Sequence, residues 1–153
     1  MNLVDELHGI VGALLGSGVE HAVCGGVAVT AYGATRSTKD IDILVAPADL
    51  PRALEAVRPL GYALAALPIV FDEGTEKERH VQRVSKIRDG EHLVLDFLLA
   101  TASLAGFLRD RVEVTLPEGR LILVSRGSLL QMKRLAGRSQ DLADLDRLEG
   151  RDP

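Results

Sequence analysis

The sequence predicts an α+β chain, and three observations carry that expectation. Ile41, Ile43 and Val45 alternate with Asp40, Asp42 and Leu44, the period-two pattern of a half-buried strand. The glycine pair Gly25-Gly26 separates a strand-like run over 20–24 from a helical stretch over 27–32. Apolar residues at helical spacing occupy both ends of the chain, with Leu3, Leu7, Ile10, Val11 and Leu14 at the start and Leu142, Leu145 and Leu148 near the end.

Each element follows from its own signals. Gly16 and Gly18 end the first helix, and a strand over 20–24 leads into the glycine pair. After the acidic strand Asp40–Val45, Asp49 is placed to cap a helix carrying Leu50, Leu54 and Val57, which Pro59 and Gly61 close. Residues 68–71 and 81–87 read as strands of poor alternation, with a loop over 72–78 between them. A strand over 92–100 encloses the single charge of Asp96 between Leu93-Val94-Leu95 and Phe97-Leu98-Leu99. A short helix over 101–109 precedes a hairpin of Val112–Leu116 and 120–124, turning at 117–119. Ser125 caps a helix that Gly137 breaks, and Ser139 caps the last helix, whose buried side is expected to hold Leu142, Leu145 and Leu148.

Composition narrows the function classes. At 153 residues, 46% hydrophobic and 26% charged, the chain fits a single domain over 1–153 with a real core. Phe71, Phe97, Phe107, Tyr32 and Tyr62 are its only aromatics, too few for the stacking ladders of single-strand binders. A formal net charge of −4 argues against coating a polyanion, though Lys77, Arg79, His80, Arg83, Lys86 and Arg88 form a local basic run that either lies solvated or guides an acceptor's phosphates. Cys24 is the sole cysteine, so no intramolecular disulfide can form, which suits a reducing compartment. Asp5 and Glu6 interrupt any N-terminal signal, and no uncharged run reaches the ~20 residues a membrane helix needs. A cytoplasmic protein without a membrane partner is the expectation.

The chemistry concentrates between Gly25 and Asp42. Asp40 and Asp42 project from one strand face, where two like charges repel and a hard divalent cation would relieve them. Gly25 and Gly26 let backbone N–H groups approach phosphate oxygens at a helix start. Together they suggest one bound molecule, a nucleoside triphosphate with its metal. Asp96, inside an apolar strand, needs a metal, an arginine or a proton-transfer role, unless an edge strand turns it to water.

Gly25-Gly26, the run Arg36-x-Thr38-x-Asp40-x-Asp42, the third acid Asp96 and the ending Lys133-Arg134-x-x-Gly137-Arg138-x-x-Asp141-x-x-Asp144 resemble the DNA polymerase beta-type nucleotidyltransferase superfamily. Within it they are most similar to the minimal bacterial branch that includes abortive-infection type IV toxin-like proteins. Gly26 stands where many members have serine, which suits that branch. The same departure, with the absence of a following Arg-x-Arg-Gly, weighs against the small antitoxin nucleotidyltransferases.

The resemblance, which covers roughly residues 20 to 148, implies a small mixed sheet, the nucleotidyltransferase fold, with C-terminal helices. It implies a magnesium-dependent transfer of an NMP group from an NTP to an acceptor hydroxyl, with Asp40, Asp42 and Asp96 converging on two magnesium ions, manganese being the alternative ion. Asp96 would be the general base. Gly25, Gly26, Arg36, Thr38, Lys133 and Asp141 would bind the nucleotide, although Lys133 also suits an exposed helix face, Asp141 a helix dipole and Arg36 an ion pair with an aspartate. The acceptor stays open among a tRNA 3′ end, a protein hydroxyl and a small molecule such as an aminoglycoside. The alternatives are a catalytically degenerate nucleotide-binding module and a toxin-antitoxin subunit that works with a partner protein.

Overall fold

A mixed sheet with apolar residues packed on both faces organises the chain, and the computed structural model describes residues 2–34 and 39–150. The helices are α1 (Leu3–Gly16), α2 (Gly25–Ala31), α3 (Leu50–Val57), α4 (Ala105–Arg109), α5 (Arg126–Ala136) and α6 (Ser139–Glu149). The strands are β1 (His21–Cys24), β2 (Asp40–Val45), β3 (Leu64–Ala65), β4 (Ile69–Phe71), β5 (Arg79–Arg88), β6 (Glu91–Leu99), β7 (Val112–Leu116) and β8 (Gly119–Leu123). The order across the sheet is β3-β5-β6-β2-β1-β8-β7, with β4 also pairing β5. β2–β6 and β1–β8 are parallel and the other pairs antiparallel.

The period-two pattern of β2 sorts its residues between two cores. Ile41, Ile43 and Val45 join Leu95 and Phe97 of β6 and Leu7, Ile10, Val11 and Leu14 of α1 in one cluster. Leu44 joins Ala28 and Val29 of α2, Leu104, Leu108, Leu129 and Leu148 in the other. Burying a side chain of this size contributes about 1.5–3 kcal/mol, so each face anchors the strand strongly. The apolar half of β2 fixes the register, and the acidic half, Asp40 and Asp42, follows from it.

Several boundaries differ from the sequence expectation. Gly25 and Gly26 form the first turn of α2 rather than a loop before it. Asn2 caps α1, its Oδ1 accepting from the N–H groups of Val4 (2.9 Å) and Asp5 (3.3 Å). Asp49 makes no capping hydrogen bond and instead accepts from Arg52 at 2.6 Å, so the ion pair competes successfully for the carboxylate. A 3-10 turn over Ala102–Leu104 replaces the start of the predicted helix. Ser125 caps α5 as expected, its Oγ accepting from the Ser128 N–H at 3.1 Å, and Gly137 ends that helix in the left-handed region.

The last helix departs most. Its capping residue is Arg138, not Ser139, and Asp141 reaches back to accept from the Arg138 N–H at 3.2 Å. Leu142 is 52% exposed, whereas Leu145 and Leu148 are buried beside Asp141 and Asp144. Residues 141, 144, 145 and 148 share one helical stripe. The helix therefore buries two acids where an all-leucine side was expected. No helix among the described residues is long and apolar enough to cross a membrane.

Candidate active site

Parallel pairing of β2 with β6 sets Asp42 directly opposite Asp96, and Asp40 opposite Val94. Side chains at paired positions of adjacent strands project to the same face of the sheet. Asp40, Asp42 and Asp96 thus line one cleft of about 290 Å³, together with Cys24, Gly25 and Gly26. The opposite wall comes from α5 and α6 through Leu129, Met132, Lys133 and Asp141, and from Arg138 between the two helices.

The acids repel one another. Burial, then the charges of Asp96 and Asp40, push the Asp42 carboxyl up to about 6, against the pull of Lys133 and Arg138. Cys24, opposite Asp42 on β1, is also buried, and its thiol is pushed far up by burial and by the Asp42 charge. It packs as an inert thiol in this setting.

Asp96 finds the arginine that its apolar strand demanded. Arg83 Nε donates to Oδ1 at 2.8 Å and a terminal nitrogen donates to Oδ2 at 3.0 Å, a two-pronged bond. Arg83 lies directly opposite Asp96 in the β5–β6 hairpin. Sequence reasoning did not single out Arg83 for this role. The available signal was Asp89-Gly90, both at positive φ, a two-residue turn that fixes the register of the hairpin.

Lys133 and Asp141 meet, but not as an open phosphate contact. Lys133, 7% exposed, lies 3.1 Å from Asp141 and 3.0 Å from Asp144, and Arg138 Nε donates to Asp141 at 2.8 Å. One lysine and one arginine thus face two carboxylates in a neutral cluster on the cleft wall. Asp144 is a member that sequence reasoning left without a role, and its i, i+3 spacing from Asp141 was the signal. Arg36 and Thr38 lie outside the described residues.

The two glycines differ in what they do. Gly25 has φ +63°, and a Cβ there would collide with Asp42 Oδ2 and lie 2.8 Å from Cγ. Absence of a side chain is therefore required for Asp42 to sit against the start of α2. Gly26 is buried in the same turn.

Whether these residues fit a divalent cation can be judged from charge and geometry. Asp40 and Asp42 form a same-face pair whose repulsion the neighbouring cations leave partly unrelieved, which fits a hard ion with open positions. Among the described residues, no group of three or more His, Cys, Asp and Glu side chains is drawn close enough to hold a metal. Asp96 is engaged by Arg83, which explains why the third acid does not complete such a group. The fit is to the Asp40–Asp42 pair.

No protein-family model and no curated protein matches the sequence. Solved structures do. A candidate nucleotidyltransferase from Thermotoga maritima aligns over 96% of this chain and 92% of its own, with a TM-score of 0.60 at 16% identity. The antibiotic-resistance factor ANT(2'')-Ia aligns in solution over 95% of this chain and 81% of its own, with a TM-score of 0.61 at 15% identity. Its crystal structure with adenylyl-2''-tobramycin aligns over 95% and 86%, with a TM-score of 0.58 at 14% identity. At such identities the likeness is one of fold: the chain has the mixed-sheet fold of these nucleotidyltransferase structures.

Proposed function

We propose that the protein is a divalent-metal-dependent nucleotidyltransferase that moves an NMP group from a nucleoside triphosphate to an acceptor hydroxyl. The observation that supports this best is the side-by-side placement of Asp42 and Asp96 on β2 and β6, with Asp40 on the same face of one cleft. Magnesium bound by Asp40 and Asp42 would neutralise triphosphate charge and favour the ionised acceptor hydroxyl. Asp42 is held against the glycine turn of α2, which brings backbone N–H groups of that turn beside it. Asp96 stands on the far side of Asp42, where a carboxylate can take the acceptor's proton as the oxygen attacks the α-phosphorus and pyrophosphate leaves. Arg83 orients Asp96 for that transfer. The neutral Lys133–Asp141–Asp144–Arg138 cluster shapes the opposite wall, and Lys133 lends its remaining field to phosphates.

The Gly26 substitution for serine supports a finer placement, beside the abortive-infection toxin-like proteins. One observation favours a second reading, a nucleotide-binding module without transfer: Asp96 is already forked onto Arg83. Single-turnover transfer from labelled nucleoside triphosphates into total cellular RNA, protein and aminoglycosides separates the two. Wild-type transfer that Asp96→Asn lowers by roughly 10²–10⁴-fold, with triphosphate binding kept, supports the enzyme. Metal-dependent triphosphate binding with no transfer to any acceptor class would leave the module.

A further inference from the structure

β5 carries a second functional feature beyond the arginine that holds Asp96. Arg79, Val81 and Arg83 alternate on the strand and all line the cleft, as do Ile69 and Phe71 of the neighbouring β4. Arg79 lies opposite Phe71, with its guanidinium 5.2 Å from the centre of the aromatic ring. The Arg79 side chain is 12% exposed, and its Nε is buried with no hydrogen-bond partner. One terminal nitrogen donates to Asp72 at 3.1 Å, so most of the five-donor fork remains uncommitted to that carboxylate. An arginine this buried and this poorly satisfied calls for an acceptor group.

The charges of the cleft are divided by wall. On the α5–α6 side, Lys133 is held between Asp141 and Asp144, and Arg138 is held through its Nε by Asp141. On β2, Asp40 and Asp42 are the cation pair of the proposed function. The β4–β5 side holds Arg79 and Arg83, and the acid facing them from β6 is Asp96. A polycationic acceptor would need unengaged carboxylates on this side, and the wall offers arginine and an aromatic ring in their place. Arg83 lies four positions along the strand from Arg79, about 13 Å at ~3.3 Å per residue, and two arginine-length side chains shorten that span. A group gripped at Arg79 can therefore present a hydroxyl near Asp96.

We infer that the β4–β5 wall is the acceptor subsite and takes a phosphate-bearing nucleotide end, with Arg79 meeting the phosphate and Phe71 the base. The term acceptor rests on the proposed nucleotidyl transfer; the binding of phosphate at Arg79 does not. The basic run seen in the sequence is thereby divided. Arg79 and Arg83 face the cleft, Lys86 is buried against Glu6 at 2.8 Å, and His80 pairs with Glu78 at 3.0 Å.

The test is equilibrium binding to the full chain without nucleoside triphosphate. The probes are a short 5′-labelled oligoribonucleotide with a free 3′ hydroxyl, a nucleoside 5′-monophosphate and tobramycin, each over a salt series. Wild-type protein should bind a nucleotide probe, and Arg79→Ala should weaken it about tenfold or more and lower the salt slope by about one. Arg79→Lys should keep the slope. Asp72→Asn should strengthen binding by freeing the guanidinium, a gain that misfolding cannot imitate. Binding of the monophosphate as tightly as the oligomer identifies a free nucleotide, and binding of the oligomer alone a polynucleotide. Tobramycin bound in preference to both, or nucleotide affinity indifferent to Arg79→Ala, overturns the subsite. Magnesium-triphosphate binding is measured separately on the same proteins. Its loss from wild type, with Arg79-dependent probe binding intact, would sink the nucleotidyl-transfer reading and leave the subsite standing.

Discussion

Gly25 and Asp42 are packed so tightly that the backbone of one stands where any side chain would meet the carboxylate of the other. A Cβ on Gly25 would lie 2.8 and 2.9 Å from Cγ and Cβ of Asp42, and nearer still to Oδ2. Its φ of +63° adds a second objection, since the left-handed region costs an L-residue roughly 1–2 kcal/mol. Gly25→Ala should therefore destabilise the fold by roughly 2–4 kcal/mol, overpacking and strain combined, and abolish metal-triphosphate binding. Gly12→Ala in α1 is the control, because nothing lies within 4 Å of its added methyl, and it should be neutral or stabilising by up to ~1 kcal/mol. Urea unfolding of both variants checks this. Equal stability of the two would mean that Gly25 is not pinned by Asp42.

The raised Asp42 carboxyl makes the metal-free protein less stable as pH rises. Its value in the folded chain is about 6 against an ordinary 3.8, so between those values the folded state keeps a proton that the unfolded state has released. Stability from this group is then highest below about pH 4, falls through the window and is fully lost above about pH 6. A difference of this size corresponds to about 3 kcal/mol at most. Asp42→Asn should stabilise the chelator-treated protein at pH 7 and flatten this part of its pH profile. Urea midpoints across pH 4 to 7 measure the difference, and parallel profiles for wild type and variant would refute the repulsion.

Arg83 supplies to Asp96 the positive charge that a second cation would otherwise provide. Arg83→Gln should lower stability by roughly 1–3 kcal/mol, because a largely buried carboxylate loses a two-pronged charge-assisted partner. It should also make magnesium more stabilising than in wild type, since Asp96 becomes available to the ion. Thermal melting with magnesium, matched in ionic strength by sodium, reads the effect. An identical magnesium response in both proteins would place Asp96 beyond the ion's reach.

What the sequence disclosed depended on whether a signal was local. The alternation in β2 and the Ser125 and Gly137 ends of α5 are written in consecutive residues, and they appear as expected. Asp96 was legible as a buried acid in need of a partner, but Arg83 was not, because the partner is fixed by hairpin register, which the Asp89-Gly90 turn sets at a distance of several residues. From Arg88 opposite Glu91, the same register carries Arg83 to Asp96. The stripe on α6 differs from the expected one for a related reason. Leu142, Leu145 and Leu148 look like a buried side by composition, yet the rotation of the helix is decided by Lys133 on α5, which draws Asp141 and Asp144 inward and leaves Leu142 in water. Tertiary ion pairing outweighed a single leucine.

That cluster gives a prediction that separates structure from nucleotide binding. Lys133 stands between Asp141 and Asp144, which are 2% and 0% exposed, and carboxylates so buried are costly without countercharge. Lys133→Met keeps the length and apolar stem of the side chain but removes the ammonium, leaving Arg138 to serve Asp141 and depriving Asp144 of a cation at 3.0 Å. Breaking a buried pair in this way costs about 3–5 kcal/mol, so the variant should unfold at distinctly lower urea. Adding Asp144→Asn to it should recover most of the loss, because Arg138 then balances Asp141 and the cluster is neutral without the lysine. If Lys133 served mainly the triphosphate, Lys133→Met would instead fold with near wild-type stability and lose affinity, and the double variant would gain nothing. Urea unfolding of the three proteins beside calorimetric titration with magnesium-triphosphate decides between these outcomes. Rescued stability with triphosphate affinity still lost in the double variant would show that Lys133 holds the α5–α6 wall together and also lends its charge to phosphate.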